Sequence, residues 1–130
     1  MASVAFIAPV LPGKLDAWKA FHDQLDGPRR RDFEEQQRRL GLVRHRVWLQ
    51  ETLEGPVALV VQEGEEPERG RAILAASTHP FDAWFKEQIK ELHGIDLSEP
   101  PGESPVTLFV DYLEQAGHRG PEYDLPDFNA

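Results

Sequence analysis

VRHRVWLQETLEGPVALVVQ, residues 43–62, is the stretch of sequence that decides the fold. Its first half alternates strictly, as a strand does when its two faces meet different surroundings. One face carries Val43, His45, Val47 and Leu49, and the other carries Arg44, Arg46, Trp48 and Gln50. Glu54-Gly55-Pro56 predicts a turn, and residues 57–62 are nearly all apolar, as in a strand covered on both faces. The stretch therefore predicts a β-hairpin.

On the N-terminal side of this hairpin, the sequence predicts one strand and two helices. Residues 4–10 form a short apolar run that is typical of a strand. From Lys14, apolar side chains recur at three- and four-residue steps up to Leu25, which indicates an amphipathic helix. Gly27-Pro28 separates it from a second, highly charged helix over about residues 28–40, in which Gln36 or Gln37 could face inward.

On the C-terminal side, residues 63–70 are predicted to form an acidic loop and residues 71–77 a short helix. The main second helix is predicted over residues 81–93. Its apolar stripe consists of Phe81, Phe85, Ile89 and Leu92. After a proline-rich connection, the apolar run at residues 106–112 predicts the last strand.

The resulting order, β-α-β-β-α-β, predicts an α+β fold of the ferredoxin-like type with a four-stranded antiparallel sheet. We expect a single domain over residues 1–114, followed by a polar tail over residues 115–130. Helices cover only one face of such a sheet, yet Trp48 and Phe109 indicate apolar side chains on both. A second copy of the chain is the simplest cover, so we expect a homodimer joined through the sheet face.

Composition excludes several classes of function. The chain has 130 residues, a formal charge of −9 and an isoelectric point near 4.9, which argues against binding to nucleic acid or to an anionic membrane. It has no cysteine, which excludes disulfides and thiol catalysis and is typical of a cytoplasmic protein. No apolar run is long enough to span a bilayer, and the N-terminus lacks the basic region of a signal peptide.

Several motifs resemble a family of small bacterial proteins that has no established function and belongs to the dimeric α/β-barrel superfamily. They are LPGK (11–14) with Trp18 and Phe21, GPRR (27–30), RRLG (38–41), VWLQET (47–52) with Gly55, PFDAWFKEQ (80–88) and HGID (93–96). His45 stands where that pattern has an acidic residue, and Leu53 where it has proline. The resemblance implies the fold and dimerisation. It implies no particular chemistry, because the superfamily contains monooxygenases, haem-degrading enzymes, isomerases and stress-response proteins.

The hairpin also supplies the candidate ligand-binding residues. One cavity could be lined by four side chains of this strand: Arg44, Arg46, Trp48 and Gln50. Tryptophan would supply apolar surface, and arginine would bind a carboxylate or phosphate through paired hydrogen bonds. Trp84 lies off the centre of its helical stripe, so its ring is expected to edge either a pocket or a subunit interface. The alternative is that the arginines lie at a rim or interface while Trp48 fills the core, which is the commoner arrangement.

Asp111 and Tyr112, at the end of the last predicted strand, are the candidate catalytic residues. Whichever points into an apolar pocket could donate or accept a proton, whereas a strand-end residue more often meets solvent. The basic cluster formed by Arg29, Arg30, Arg31, Arg38 and Arg39 could hold an anion, but the interleaved acidic residues favour a solvated helix face.

We expect neither a metal nor a cofactor. His22 with Asp26, or His93 with Asp96, supplies two possible metal ligands where a site needs three or four. Haem ligation by His79 or His93 is conceivable only through the superfamily, since no spacing requires it. Two functions stay open: a non-catalytic small-molecule-binding or interaction module, and a cofactor-independent oxygenase or isomerase that acts on a small hydrophobic or aromatic substrate in the barrel cavity.

Overall fold

The computed structural model describes residues 1–102 and 106–114. These residues form an α+β fold in which three antiparallel strands and four helices are present. The elements in chain order are β1 (Ala2–Pro9), α1 (Leu15–Asp26), α2 (Arg30–Arg39), β2 (Leu42–Thr52), β3 (Gly55–Gly64), α3 (Pro67–Ala76) and α4 (Pro80–His93). No helix among the described residues is long and apolar enough to cross a membrane.

The predicted hairpin is confirmed as β2 and β3, which pair antiparallel with Val47 opposite Val60. Its tight connection uses Gly55 at φ +119°, a backbone conformation that side chains rarely allow. The Thr52 hydroxyl donates a hydrogen bond of 2.6 Å to the Gly55 carbonyl and closes the turn. Because β1 pairs with the other side of β3, the strand order among the described residues is β1-β3-β2.

The hydrophobic core lies between the helices and one face of the sheet. Alternate residues of the sheet, among them Ala8, Ala58 and Val60, are buried there. Phe85 of α4 meets Phe21 of α1 at 5.6 Å between ring centroids. The predicted stripe on α4 is confirmed, since Phe81, Phe85 and Leu92 are buried and Ile89 packs against the same core.

Helix α3 begins earlier than the sequence predicts. The acidic stretch 63–70 is not a loop, because β3 continues to Gly64 and the helix starts at Pro67, where a proline ring suits the first turn. Gly70, predicted to belong to the loop, lies inside this helix. A Cβ atom at that position would come within 2.5 Å of the Leu40 carbonyl oxygen, so glycine allows α3 to approach the end of α2 closely.

The predicted last strand differs most from the structure. Residues 106–114 form neither helix nor strand, and the sheet of the described residues has three strands instead of four. A strand is stabilised by a neighbouring strand and by the burial of at least one face, whereas residues 107–113 are exposed and pair with none of the three strands of the described residues. The predicted tail, residues 115–130, lies outside the described residues.

Candidate functional site

The strand register separates the sheet into two faces. One contributes to the core, and the other, which we call the open sheet face, consists of Ala5, Ile7, Arg46, Trp48, Leu59 and Val61 with their polar neighbours. None of these six belongs to the hydrophobic cluster formed by the described residues. Ile7 is 55% exposed and Trp48 is 47% exposed. The sheet therefore presents a contiguous apolar surface on the side opposite its core.

Arg46 is already engaged by its neighbours on the open sheet face. Its guanidinium carbon lies 5.0 Å from the centroid of the Trp48 ring, within the range of a cation–π contact. One of its terminal nitrogens lies 3.5 Å from a carboxylate oxygen of Glu63. The side chain thus lies flat on the sheet between a ring and a carboxylate instead of projecting as a free anion receptor.

The structure brings the four predicted hairpin residues to one side of β2. Arg44, Arg46, Trp48 and Gln50 pair with successive alternate residues of β3, despite a register shift between Leu42 and Arg44. The surface that they share is open, and Gln50 is exposed. Within one chain this surface is a flat platform and not an enclosed pocket.

Trp84 lies apart from that platform. It belongs to α4 and packs against the core, with its ring 5.5 Å from that of Phe21. The guanidinium of Arg29 covers it at 4.1 Å from the ring centroid. Trp84 and Trp48 therefore do not share a cavity, and the Trp84 ring joins α1, the start of α2 and α4.

The candidate catalytic residues lie on an exposed segment. Asp111 and Tyr112 are both exposed, with 83% of Tyr112 accessible to solvent. Neither contributes to an apolar pocket of the described residues, so their predicted roles stay predictions.

A cleft of about 820 Å³ opens between α1, α2 and β2. We call it the α1–α2 cleft. Its lining is His22, Leu25, Asp26, Arg30, Phe33, Glu34, Gln37, Arg38, Leu42, Val43, Arg44, His45 and Val47. The lining thus combines apolar side chains with two imidazoles and several charged groups. Of the predicted binding residues, only Arg44 lies in it.

Burial lowers the pKa of both histidines of the cleft. Burial, with a smaller repulsion from His22, lowers the pKa of His45 to about 4. The side-chain amide nitrogen of Gln62 lies 3.0 Å from His45 Nδ1 and donates to it, which leaves the ring proton on Nε2. Burial also lowers the pKa of His22, whose Nδ1 donates to the Trp18 carbonyl oxygen at 2.9 Å.

The cations of the cleft fall into two groups. Arg30 is neutralised by Glu34 at 3.0 Å and by Asp26 at 3.4 Å. Arg38 and Arg44 have no carboxylate within 4 Å among the described residues. The side-chain oxygen of Gln37 is buried there without a hydrogen-bond partner. The lining of the cleft therefore includes two arginines without a carboxylate partner among the described residues, together with apolar side chains.

Sequence reasoning missed a buried polar network around Asp82. This carboxylate, which is 1% exposed, accepts hydrogen bonds from Gln36 at 2.9 Å, Arg39 at 2.6 Å and Ser77 at 2.6 Å. Burial alone would raise the pKa of Asp82, but these hydrogen bonds and the charge of Arg39 lower it. The network joins α2 to α4, and Gln36 faces inward as predicted. Its role is structural.

A metal centre has no support in the described part of the chain. No group of three or more histidine, aspartate or glutamate side chains is placed there so that it could hold an ion. His93 is buried and its Nδ1 lies 2.7 Å from the Pro9 carbonyl oxygen, so this ring ties α4 to β1.

Comparisons of the chain with family models, with curated proteins and with solved structures give no match.

Proposed function

We propose that the chain is a non-catalytic binding module that acts as a homodimer through its open sheet face. The observation that carries this proposal is the apolar surface of Ile7, Leu59, Val61 and Trp48 on the side opposite the core. In this proposal the assembly is a dimeric α/β barrel whose sheets are of the four-stranded ferredoxin-like type.

The composition of the open sheet face suits a permanent partner. Aliphatic side chains lie at its centre on β3, and Trp48 with Arg46 lies beside them, a pair of residue types that is enriched at the centres of interfaces. Sheets that pack face to face bury such side chains about 10 Å apart. A second copy presents the same surface, so two-fold packing covers both faces at once.

Sedimentation velocity at micromolar concentration tests this proposal. We expect the wild-type chain to sediment as a dimer, and Trp48→Asp or Ile7→Asp to shift it towards the monomer by at least about tenfold in dissociation constant. Leu53→Asp is the matched control, because Leu53 is fully exposed at the β2–β3 turn, away from the open sheet face. A wild-type monomer, or equal effects of Leu53→Asp and Trp48→Asp, would contradict the proposal.

The α1–α2 cleft supports a second function, the binding of a small amphiphilic carboxylic acid. The argument rests on Arg38 and Arg44, which line the cleft together with apolar residues that include Phe33 and Val47 and have no carboxylate within 4 Å among the described residues. Guanidinium groups bind carboxylates through paired hydrogen bonds, and the apolar residues would contact the apolar body.

Titration calorimetry with octanoate tests this second function, with 1-octanol as the uncharged control. We expect octanoate to bind more tightly, and the double variant Arg38→Gln, Arg44→Gln to weaken it about tenfold or more. Arg31→Gln is the matched control, since Arg31 lies on the same helix but outside the cleft lining. Equal binding of the acid and the alcohol, or an equal loss with Arg31→Gln, would contradict the carboxylate assignment.

The alternative activity, a cofactor-independent oxygenase or isomerase, depends on the dimer. Arg46, Trp48 and Gln50 lie on an open surface, so a second sheet is required to turn them into the lining of a cavity. No arrangement among the described residues favours this activity over simple binding.

A further inference from the structure

Two imidazole rings line the α1–α2 cleft, His22 from α1 and His45 from β2. Each ring has its Nδ1 atom bound within the chain: His22 Nδ1 lies 2.9 Å from the Trp18 carbonyl oxygen, and His45 Nδ1 lies 3.0 Å from the side-chain nitrogen of Gln62. No hydrogen bond joins either Nε2 atom to another of the described residues. Neither Nε2 atom is among the fully buried atoms that lack a partner, so a ligand in the cleft can reach both.

The hydrogen bonds at Nδ1 give the two rings opposite tautomers. A carbonyl oxygen can only accept, so the His22 proton lies on Nδ1 and His22 Nε2 is an acceptor. The Gln62 amide nitrogen can only donate, so the His45 proton lies on Nε2, which is a donor. The rings are close enough for His22 to lower the pKa of His45. The cleft therefore presents one acceptor and one donor to the same ligand.

The rings are suited to a neutral polar group and not to an anion. Because burial lowers the pKa of both histidines below 6.5, neither ring is charged at about pH 8. The positive charge of the cleft that no carboxylate of the described residues neutralises comes from Arg38 and Arg44. A carboxylate and a neutral polar group of one ligand would thus have different partners in the cleft.

Aromatic contacts fix the orientation of both rings. The His22 ring lies 4.1 Å from that of Trp18 and meets Phe21 edge-on at 5.1 Å between centroids. The His45 ring meets Phe33 edge-on at 5.4 Å. Trp18 and Phe21 belong to the core, so the acceptor is held by packing. A donor and an acceptor that are already held in place can bind a ligand without a further ordering cost.

We propose that the ligand of the α1–α2 cleft is a hydroxy acid, whose hydroxyl group donates to His22 Nε2 and accepts from His45 Nε2–H. This inference rests on the proposed binding of a carboxylic acid in the cleft, and it names the second polar group of that acid. A hydroxyl is the smallest neutral group that both donates and accepts. A ketone or ether oxygen could only accept from His45. An ammonium group could only donate to His22, and the two unpaired arginines would repel it.

The two Nε2 atoms predict a clear preference for the hydroxyl group. An acid without it would cover both atoms with hydrocarbon and leave them without partners. Sites that hydrogen-bond a hydroxyl group discriminate strongly against the analogue that lacks it, so we expect a preference of about tenfold or more. Without such partners the sign would be opposite, because the hydroxyl group would lose its water and gain nothing.

Titration calorimetry at about pH 8 tests this preference. The probes are 6-hydroxyhexanoate, 8-hydroxyoctanoate and 10-hydroxydecanoate, which place the hydroxyl group at different distances from the carboxylate. Each is compared with the unsubstituted acid and with the methoxy acid of the same length. We expect at least one hydroxy acid to bind about tenfold or more tightly than its unsubstituted acid. The matching methoxy acid should lose this gain, because it cannot donate to His22 Nε2.

Phenylalanine substitutions assign the preference to the two rings. His22→Phe and His45→Phe keep an aromatic ring and remove its nitrogens. Each should reduce the affinity of the hydroxy acid to that of the unsubstituted acid, whose own binding should not weaken. His79→Phe is the matched control, since His79 is exposed and outside the cleft lining. A preference that persists in both cleft variants would overturn the assignment.

Nitrogen-15 NMR of the imidazole rings tests the tautomers in the wild-type chain, without any substitution. At about pH 8 we expect the Nδ1–H form of His22 and the Nε2–H form of His45, and both Nε2 resonances should shift when the hydroxy acid is added. The same tautomer in both rings would overturn the inference.

The calorimetric outcomes separate this inference from the proposed function on which it rests. If every hydroxy acid binds equally to or more weakly than its unsubstituted acid, the hydroxyl assignment is overturned and the carboxylate function stands. If neither kind of acid binds, both are overturned.

Discussion

Replacement of Asp82 by alanine is the most severe single change that the structure identifies. The Asp82 carboxylate is buried and accepts three hydrogen bonds, from Gln36, Arg39 and Ser77. Hydrogen bonds to a charged group contribute about 1.5–3 kcal/mol each, but they are not additive, and the buried charge also has a desolvation cost. Loss of one partner from a buried ion pair typically costs roughly 3–5 kcal/mol, so we expect a loss of this size.

Two features of the network support the upper part of that range. The Gln36 side chain is 0% exposed, so its amide would be left in the interior without its acceptor. Arg39, whose side chain is 31% exposed, would lose its only carboxylate partner among the described residues. A loss of this size corresponds to a fall in melting temperature of roughly 10–20 °C for a domain of about 110 residues.

Urea denaturation followed by tryptophan fluorescence measures this change, because Trp18 and Trp84 pack in the core. Asp32→Ala is the matched control: Asp32 also lies in the first turn of a helix and pairs with Arg29 at 3.5 Å, but on the surface. Surface pairs contribute at most about 1 kcal/mol. Equal losses for Asp82→Ala and Asp32→Ala would refute the reasoning.

The pH dependence gives an independent check on Asp82. The folded state lowers the pKa of this carboxyl below its ordinary value of 3.8. Its contribution to stability is therefore fully present above about pH 4 and is lost as the pH falls through the lower, folded value. The difference in unfolding free energy between wild type and Asp82→Ala should be constant from pH 7 to about pH 4 and should shrink below that.

Three further predictions concern the cleft, the core and the helix contacts. Because burial lowers the pKa of His45 to about 4, the free energy of unfolding should fall by up to about 3 kcal/mol as the pH drops from 6.5 to 4. In urea titrations, His45→Gln should reduce this pH dependence, whereas the control His79→Gln, at an exposed position, should not. Phe85→Ala should cost about 3–5 kcal/mol in urea denaturation, and a loss below 1 kcal/mol would contradict its place in the core. Gly70→Ala should lower the melting temperature, since its Cβ atom would press on the Leu40 carbonyl, and an unchanged or higher value would show that α3 shifts without cost.

Local patterns in the sequence predict most of the elements. The alternation around Trp48 and the turn at Gly55 predict the hairpin, because strand faces and turn geometry depend on neighbouring residues. The stripe through Phe85 predicts α4 for the same reason. The sequence predicts the start of α3 too late, because Gly70 is typical of a loop. In the structure this glycine allows a close approach to Leu40, thirty residues away.

The candidate site was less predictable because it depends on distant contacts and on assembly. Alternation correctly places Arg44, Arg46, Trp48 and Gln50 on one side of β2, but it cannot indicate whether another layer covers them. The α1–α2 cleft and the Asp82 network join residues far apart in the sequence. The last predicted strand has the composition of a strand. A strand also needs another strand to pair with, and the local sequence does not specify that partner strand.

Sedimentation equilibrium of the full chain, at concentrations from nanomolar to micromolar, tests the central claim most directly. In the proposed dimer a second copy covers the open sheet face, on which Ile7 is 55% exposed and Trp48 is 47% exposed. The account predicts a dimer at micromolar concentration that dissociates when Trp48 is replaced by aspartate. A wild-type chain that sediments as a monomer throughout this range would contradict it.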